Sequence, residues 1–247
     1  MILDIAEDRL FVISDLHLGN PASTARERLV DFLDYARLTG ASLCVNGDGF
    51  ELLQTSFTRL AADSIPVINA IRRLKEEGHN VYYVVGNHDI ALEHFLEDWL
   101  FTHISPFLNL TSGDQRVRIE HGHIYDSFFM RYPDVYEAAT RLAGLFIFVR
   151  PDIYSVWAKA DVAIDRRRRR RAGDDTEEIS ALHVAAGVLL DRGFDAVVFG
   201  HTHNPESVQL GDRGLYVNSG NWLRGSHYVD IDTGVVTLQR WEPWTAA

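Results

Sequence analysis

The residues whose types and spacing suit chemistry fall in five short polar blocks: Asp15-Leu16-His17, Gly47-Asp48, Gly86-Asn87-His88-Asp89, His121-Gly122-His123 and Gly200-His201-Thr202-His203. Imidazoles and carboxylates together offer mixed nitrogen and oxygen ligation. That mixture suits divalent manganese, iron, zinc or cobalt better than calcium, which seeks oxygen alone. In Asp15-x-His17 and His201-x-His203 two ligands stand one residue apart, so from a turn they reach one metal centre or two adjacent ones. Two ions roughly 3.5–4 Å apart can hold a bridging hydroxide for in-line attack on phosphorus while both neutralise charge. Hydrolysis of a phosphoester is the reaction this residue set suits.

Such blocks work only if the fold gathers them. Each follows a run with strand character: Leu10–Ser14, Ala41–Asn46, Val81–Val85, Arg116–Glu120 and Ala196–Phe199. In open α/β sheets ligands bind beyond the C-terminal strand ends, where loops from several strands converge. Between the runs, Thr24–Leu38 and Ile65–Glu77 place apolar residues three and four apart and are followed by Gly40 and Gly78, which predicts crossover helices. The alternation predicts an α/β domain. In the tail, Gly214–Asn218, Ser226–Ile231 and Val235–Gln239 are closely spaced strand runs, with Asp232-Thr233-Gly234 a hairpin turn, and predict a second, more antiparallel sheet there. Residues 125–185 carry no strand pattern. They read as helices broken by Pro133, Gly144, Pro151 and the polar stretch Arg166–Glu178, a helical insertion within one domain spanning residues 1–247. The longest apolar run there, Leu142–Val149, is far shorter than the roughly 20 residues of a membrane span.

Taken in order along residues 10–221, the five blocks resemble the signature of the calcineurin-like metallophosphoesterases. The resemblance implies a two-sheet β-sandwich flanked by helices, the insertion forming a lid, and a cofactor of two divalent metal ions, manganese first among the candidates. It implies that Asp15, His17, Asp48 and His203 bind one ion and that Asp48, Asn87, His121 and His201 bind the other, with Asp48 bridging. His88 is then free of the metals and stabilises developing charge or protonates the leaving oxygen. Asp89 would orient His88 by accepting a ring hydrogen bond. Within the family, three features resemble the UDP-2,3-diacylglucosamine hydrolase branch, which cleaves a sugar-nucleotide pyrophosphate: the opening Ser14-Asp15-Leu16-His17-Leu18-Gly19, the insertion, and the ending Asn218–Ser226 followed by Tyr228-Val229. His88 and His123 depart from that branch, which usually has Arg and Asp there. The implied substrate is a lipid- or nucleotide-linked diphosphate or phosphodiester. A soluble nucleotide or a phosphoprotein is the alternative. A catalytically silent metal-binding scaffold is a third reading, and it is disfavoured because every motif position is filled.

Other residues divide between functional and structural readings. His123 stands two residues from His121 and is either a substrate contact or a structural hydrogen-bonding group. Ile153, Trp157, Ala160 and Ile164 form a stripe at helical spacing, which suits core packing or an acyl-chain groove. Arg166–Arg171, with Arg166 and Arg167 foremost, is a solvated helix end or a dock for phosphate or anionic headgroups. His79, His94, His103, His183 and His227 match no motif. A net charge of −11 disfavours binding to nucleic acid. Cys44 is the one cysteine, so no intrachain disulfide forms, and the first residues lack the basic and apolar segments of a secretory signal. The expected location is the cytoplasm, with peripheral contact at the inner face of the membrane through the insertion.

Overall fold

In β2 (Arg9–Ile13) successive side chains point to opposite faces, and Leu10, Phe11, Val12 and Ile13 are all buried. A strand apolar on both faces needs a cover on each. β3 (Ser42–Asn46) and β4 (Val81–Val84) repeat the pattern. On one side Leu10, Val12, Cys44, Tyr82 and Val84 pack against a second sheet through Leu108, Leu110, Val117, Ile119 and Val198. On the other, Phe11, Ile13, Leu43, Val45 and Tyr83 join Leu29, Phe32 and Leu33 of α1 (Ala25–Thr39) and Val67, Ile71 and Leu74 of α2 (Phe57–Glu76). The outer face of the second sheet is covered by α3 (Asp175–Leu190), whose Leu182, Ala186, Leu189 and Leu190 meet Val197, Phe199 and Tyr216. The layers therefore run helix, sheet, sheet, helix.

This is a computed structural model, and it describes residues 3–20, 23–51, 55–89, 100–125, 175–223 and 225–243. The remaining strands are β1 (Leu3–Ala6), β5 (His103–Ser105), β6 (Phe107–Ser112), β7 (Gln115–Glu120), β8 (Ala196–Phe199), β9 (Glu206–Gln209), β10 (Leu215–Asn218), β11 (His227–Asp232) and β12 (Val235–Arg240). One sheet has the order β12-β11-β2-β3-β4-β5, the other β1-β6-β7-β8-β10-β9. β2, β3 and β4 are parallel, as are β7, β8 and β10, so the C-terminal ends of each trio open on a single edge of their sheet.

The separate antiparallel sheet expected in the tail does not form. β10 lies parallel to β8 in one sheet, whereas β11 pairs antiparallel with β2 in the other. Short turns report which strands are hairpin partners, but the chain changes sheets between β10 and β11, and this lets Val229 and Ile231 fill the space between the two layers. The hairpin β11–β12 itself forms, with Thr233 and Gly234 left-handed at φ 46° and 90°. Helix α2 starts at Phe57, earlier than the apolar period suggests, because Ser56 accepts the Arg59 N–H and caps it, and Pro66 is carried inside. Helix α3 begins within the stretch read as an insertion, and its second half packs as a covering helix. Residues 126–174 lie outside the described residues, and with them the Ile153–Ile164 stripe and Arg166–Arg171. Among the described residues no helix is long and apolar enough to cross a membrane.

Candidate metal centre

Beyond their strands, the loops after β2 and β3 continue side by side. The N–H of Asp15 donates to Gly47 O (3.1 Å), that of His17 to Asp48 O (2.9 Å), and that of Leu18 to Gly49 O (3.0 Å). The N–H of Glu51 returns to Leu18 O at 2.9 Å. Along this edge the backbone is left-handed at Asp15 (φ 54°), His17 (45°), Asp48 (52°), His201 (69°) and His203 (59°). Among the described residues only Thr233, in its hairpin turn, joins them as a non-glycine with positive φ. Each such residue costs on the order of 1–3 kcal/mol and persists where its surroundings over-determine it, which is typical of functional sites. Two glycines admit close approach here: a Cβ on Gly47 would collide with the His121 ring, and one on Gly86 with the carboxylate and amide of Asp48.

These turns aim the side chains at one another. Asp15 Oδ1 lies 3.1 Å from His203 Nε2, and His17 Nε2 lies 3.3 Å from His203 Nε2 and 3.9 Å from Asp48 Oδ2. His121 Nε2 lies 3.4 Å from Asp48 Oδ2. Three sets of donor atoms converge within 4.8 Å: Asp15, His17 and His203; Asp15, Asp48 and His121; and His17, Asp48 and His88. The His201 ring is 5.3 Å from that of His121, and its backbone N–H donates to Asp15 Oδ2 at 3.2 Å. Asn87 is buried in the turn after β4, and the N–H of His88 beside it donates to Asp48 Oδ1 at 2.9 Å. The tautomers are set from behind. His121 donates from Nδ1 to Asn46 O (2.9 Å), and His17 Nδ1 pairs with Glu51 Oε2 (3.1 Å), so both Nε2 atoms face the centre.

Burial disfavours charge at Asp15, Asp48, His121 and His203, and the attraction among them overcomes it. Asp48 is held well below the usual carboxylate range by His121, His88 and His17 against its burial. Burial works against a charged His121, yet Asp48 above all, then Asp15 and the Asn46 carbonyl, raises its pKa to about 10. Asp15 Oδ1 and His121 Nε2 are buried without a hydrogen bond. A buried carboxylate oxygen and a buried imidazole nitrogen left so, facing other ligand atoms, fit a divalent cation.

Asp89 does not orient His88. Its carboxylate accepts the N–H of Gly86 (2.8 Å), the N–H of Gly49 (2.8 Å) and the hydroxyl of Tyr83, stapling the β3 and β4 loops together from beneath. Adjacent residues in a turn diverge, so the fully buried Asp89 lies beneath the loops while the His88 ring turns toward Glu51 and His17. The carboxylate that meets His88 is Glu51, whose Oε1 pairs with His88 Nδ1 at 3.0 Å while Oε2 takes His17. Glu51 is absent from the residues the sequence reading selects. Its one signal is an acidic residue inside the apolar run Phe50-Glu51-Leu52-Leu53, just after Asp48. Burial pushes its pKa up, but the two histidines bring it down to about 2, so it is a carboxylate at any working pH. Glu51→Ala is expected to lower metal affinity and turnover by roughly 10- to 100-fold, as loss of a carboxylate behind a ligating histidine does. Calorimetric titration with manganese beside steady-state rates checks it, and unchanged values for both would remove Glu51 from the site.

His123 opens a short 3-10 turn, His123–Tyr125, with its ring 5.4 Å from His121 and 6.4 Å from His201. It borders the centre and belongs to none of the three donor sets. Trp157, Arg166 and Arg167 lie outside the described residues.

Residues 9–205 match the model of the calcineurin-like phosphoesterase family, and the chain belongs to that family. It is a metal-dependent phosphoesterase. Among curated proteins it is similar to UDP-2,3-diacylglucosamine hydrolase of Porphyromonas gingivalis, at 20% identity over 95% of this chain and 98% of that one. The protein of the same name from Pseudomonas putida strain W619 is 23% identical, over 94% of this chain and 99% of its own. Among solved structures, Vps29 of Chaetomium thermophilum aligns with 95% of this chain and 97% of its own, at 13% identity and a TM-score of 0.45.

Proposed function

We propose that this enzyme hydrolyses the diphosphate or phosphodiester bond of a lipid- or nucleotide-linked substrate of the UDP-2,3-diacylglucosamine kind. The observation that carries this reading is the extent of the likeness: relatives named for that activity align with 94–95% of the chain and 98–99% of themselves, well past the five blocks. Asp15, His17, Asp48 and His203 would hold one divalent ion, and Asp48, Asn87, His121 and His201 the other, manganese being the first candidate. Bound there, the ions supply Lewis acidity toward the phosphoryl oxygens and an activated water.

The chain's own contribution starts with His88. With Nδ1 on Glu51, its Nε2 is left for the substrate. Burial opposes a charged ring, yet Asp48 and Glu51 raise its pKa to about 9 before cations bind, and the ring is the group that would pass a proton to the leaving oxygen. His123, at the border, would touch the substrate. The insertion, residues 125–185, would select it, with Trp157 and its stripe against acyl chains and Arg166 and Arg167 on an anionic headgroup at the cytoplasmic face of the membrane. His88 and His123 themselves favour a second reading, a soluble nucleotide or phosphomonoester, since the lipid-cleaving branch usually carries Arg and Asp there.

Purified enzyme with manganese, offered monoesters, diesters, and acylated and unacylated UDP-sugars, decides between them. The acylated UDP-sugar is expected to be cleaved fastest, and turnover of monoesters alone would end the first reading. Trp157→Asp is expected to cost roughly 10- to 100-fold on the acylated substrate, the effect of one buried apolar side chain, and to leave a small chromogenic diester unchanged. Equal losses on both would assign the stripe to the core.

A further inference from the structure

We infer that the segment Asn218–Trp222, at the end of β10, is a positioning unit for the metal centre, supplying the hydrogen bonds that hold Asp15, His201 and His203 in their left-handed backbone. This rests on the reading of that edge as a metal centre and adds residues outside the five blocks. The contacts fall on the strained residues or their immediate neighbours. The N–H of Trp222 donates to Asp15 O at 3.1 Å. The amide of Asn218 donates to Gly200 O at 2.7 Å and Thr202 Oγ1 at 3.1 Å, on either side of His201. The amide of Asn221 donates to His203 O at 2.8 Å. Ser219 Oγ lies 2.7 Å from Ser14 Oγ and donates to Phe199 O at 3.0 Å, joining the ends of β2 and β8.

The segment is itself braced: Asn218 Oδ1 accepts the Gly220 N–H at 3.0 Å and Asn221 Oδ1 the Gly225 N–H at 3.2 Å. Asn218 and Ser219 are buried to 1% and 0% exposure. His17 and Asp48, the other two left-handed residues, are held differently, by the pairing of their own loops. Asp15 shares that loop pairing through its own N–H, so Asn218–Trp222 adds a second hold on Asp15 and braces both histidines of the last block.

A bond that holds a strained residue in place supports geometry more than stability, because cutting it lets the residue relax. Asn221→Ala is therefore expected to weaken manganese binding by roughly 10- to 100-fold, with kcat recovered at saturating manganese and the melting temperature of the metal-free protein unchanged. Asn221→Asp, which keeps the acceptor for Gly225 but sets an oxygen against the His203 carbonyl, is expected to bind at least as weakly. Asn109→Ala, which removes a bond to Asp4 and the one donated by Arg118 Nη1, neither at the metal centre, is the control and should bind as wild type. Calorimetric titration with manganese alone and thermal melts of the metal-free proteins give the readings. Wild-type affinity in both Asn221 variants overturns the inference and leaves the metal centre standing. A metal-free melting temperature that falls in step with affinity also overturns it, showing a merely structural role. Wild type that takes up no manganese sinks the metal centre and this inference together.

Discussion

Asp48→Ala is expected to lose both divalent ions and nearly all hydrolysis. Its carboxylate is the group on which both halves of the centre converge: Oδ2 faces His121 and His17, while Oδ1 accepts the backbone N–H of His88. Removing it strips His121 and His88 of their main counter-charge and unties the turn that carries Asn87 and His88. A group that would bridge two ions has no substitute within reach, since Asp15 already answers to His203 and to the His201 N–H. Asp48→Asn separates charge from shape. It keeps the acceptor for His88 and so is expected to retain the circular dichroism of the wild type while still losing paired occupancy. Metal content by mass spectrometry, measured beside turnover, checks both variants. Two retained ions together with substantial activity would refute the assigned centre.

For His88→Ala the expected result is different in kind: kcat falls by about 10²–10⁴-fold, the usual contribution of a general acid, and metal content stays at wild type. The geometry sets the contest. His88 Nδ1 is taken by Glu51, which leaves Nε2 for the substrate, but its ring also stands with His17 and Asp48 in one of the three donor sets. If the ring is a ligand, ions leave in step with activity. The pH profile gives a second check. An acid acts when protonated, so wild-type kcat is expected to fall as pH rises through the His88 pKa. That pKa is about 9 before cations bind and is lowered by them. The variant should lose that alkaline limb, and a limb that survives in it would assign the proton to another group.

Much of this was legible in the chain itself. The blocks could be placed at strand ends because polar residues with glycine follow apolar runs, and an α/β fold followed from short runs such as Leu10–Ile13 alternating with helix-period segments. Block order and residue type then led to the family, and residues 9–205 match it. Strands with weaker signals were missed. β9 reads Glu-Ser-Val-Gln, and β1 is four residues long.

What tertiary structure decided were pairings between residues distant in sequence or diverging from one turn. Asp89 adjoins His88 in sequence and yet serves Gly86, Gly49 and Tyr83, while Glu51, 37 positions away, takes the histidine ring. The left-handed backbone of five site residues has only a weak local cue, since aspartate and histidine enter that region more readily than most side chains but stay there where surrounding contacts hold them. The tail strands divide between two sheets because the loop between β10 and β11 crosses from one layer to the other, and that loop, with Asn218 at the end of β10, grips Asp15, His203 and the residues on either side of His201. Periodicity and turn chemistry are properties of neighbours along the chain. Which carboxylate meets which imidazole depends on how the two sheets stack, and that is a property of the packed whole.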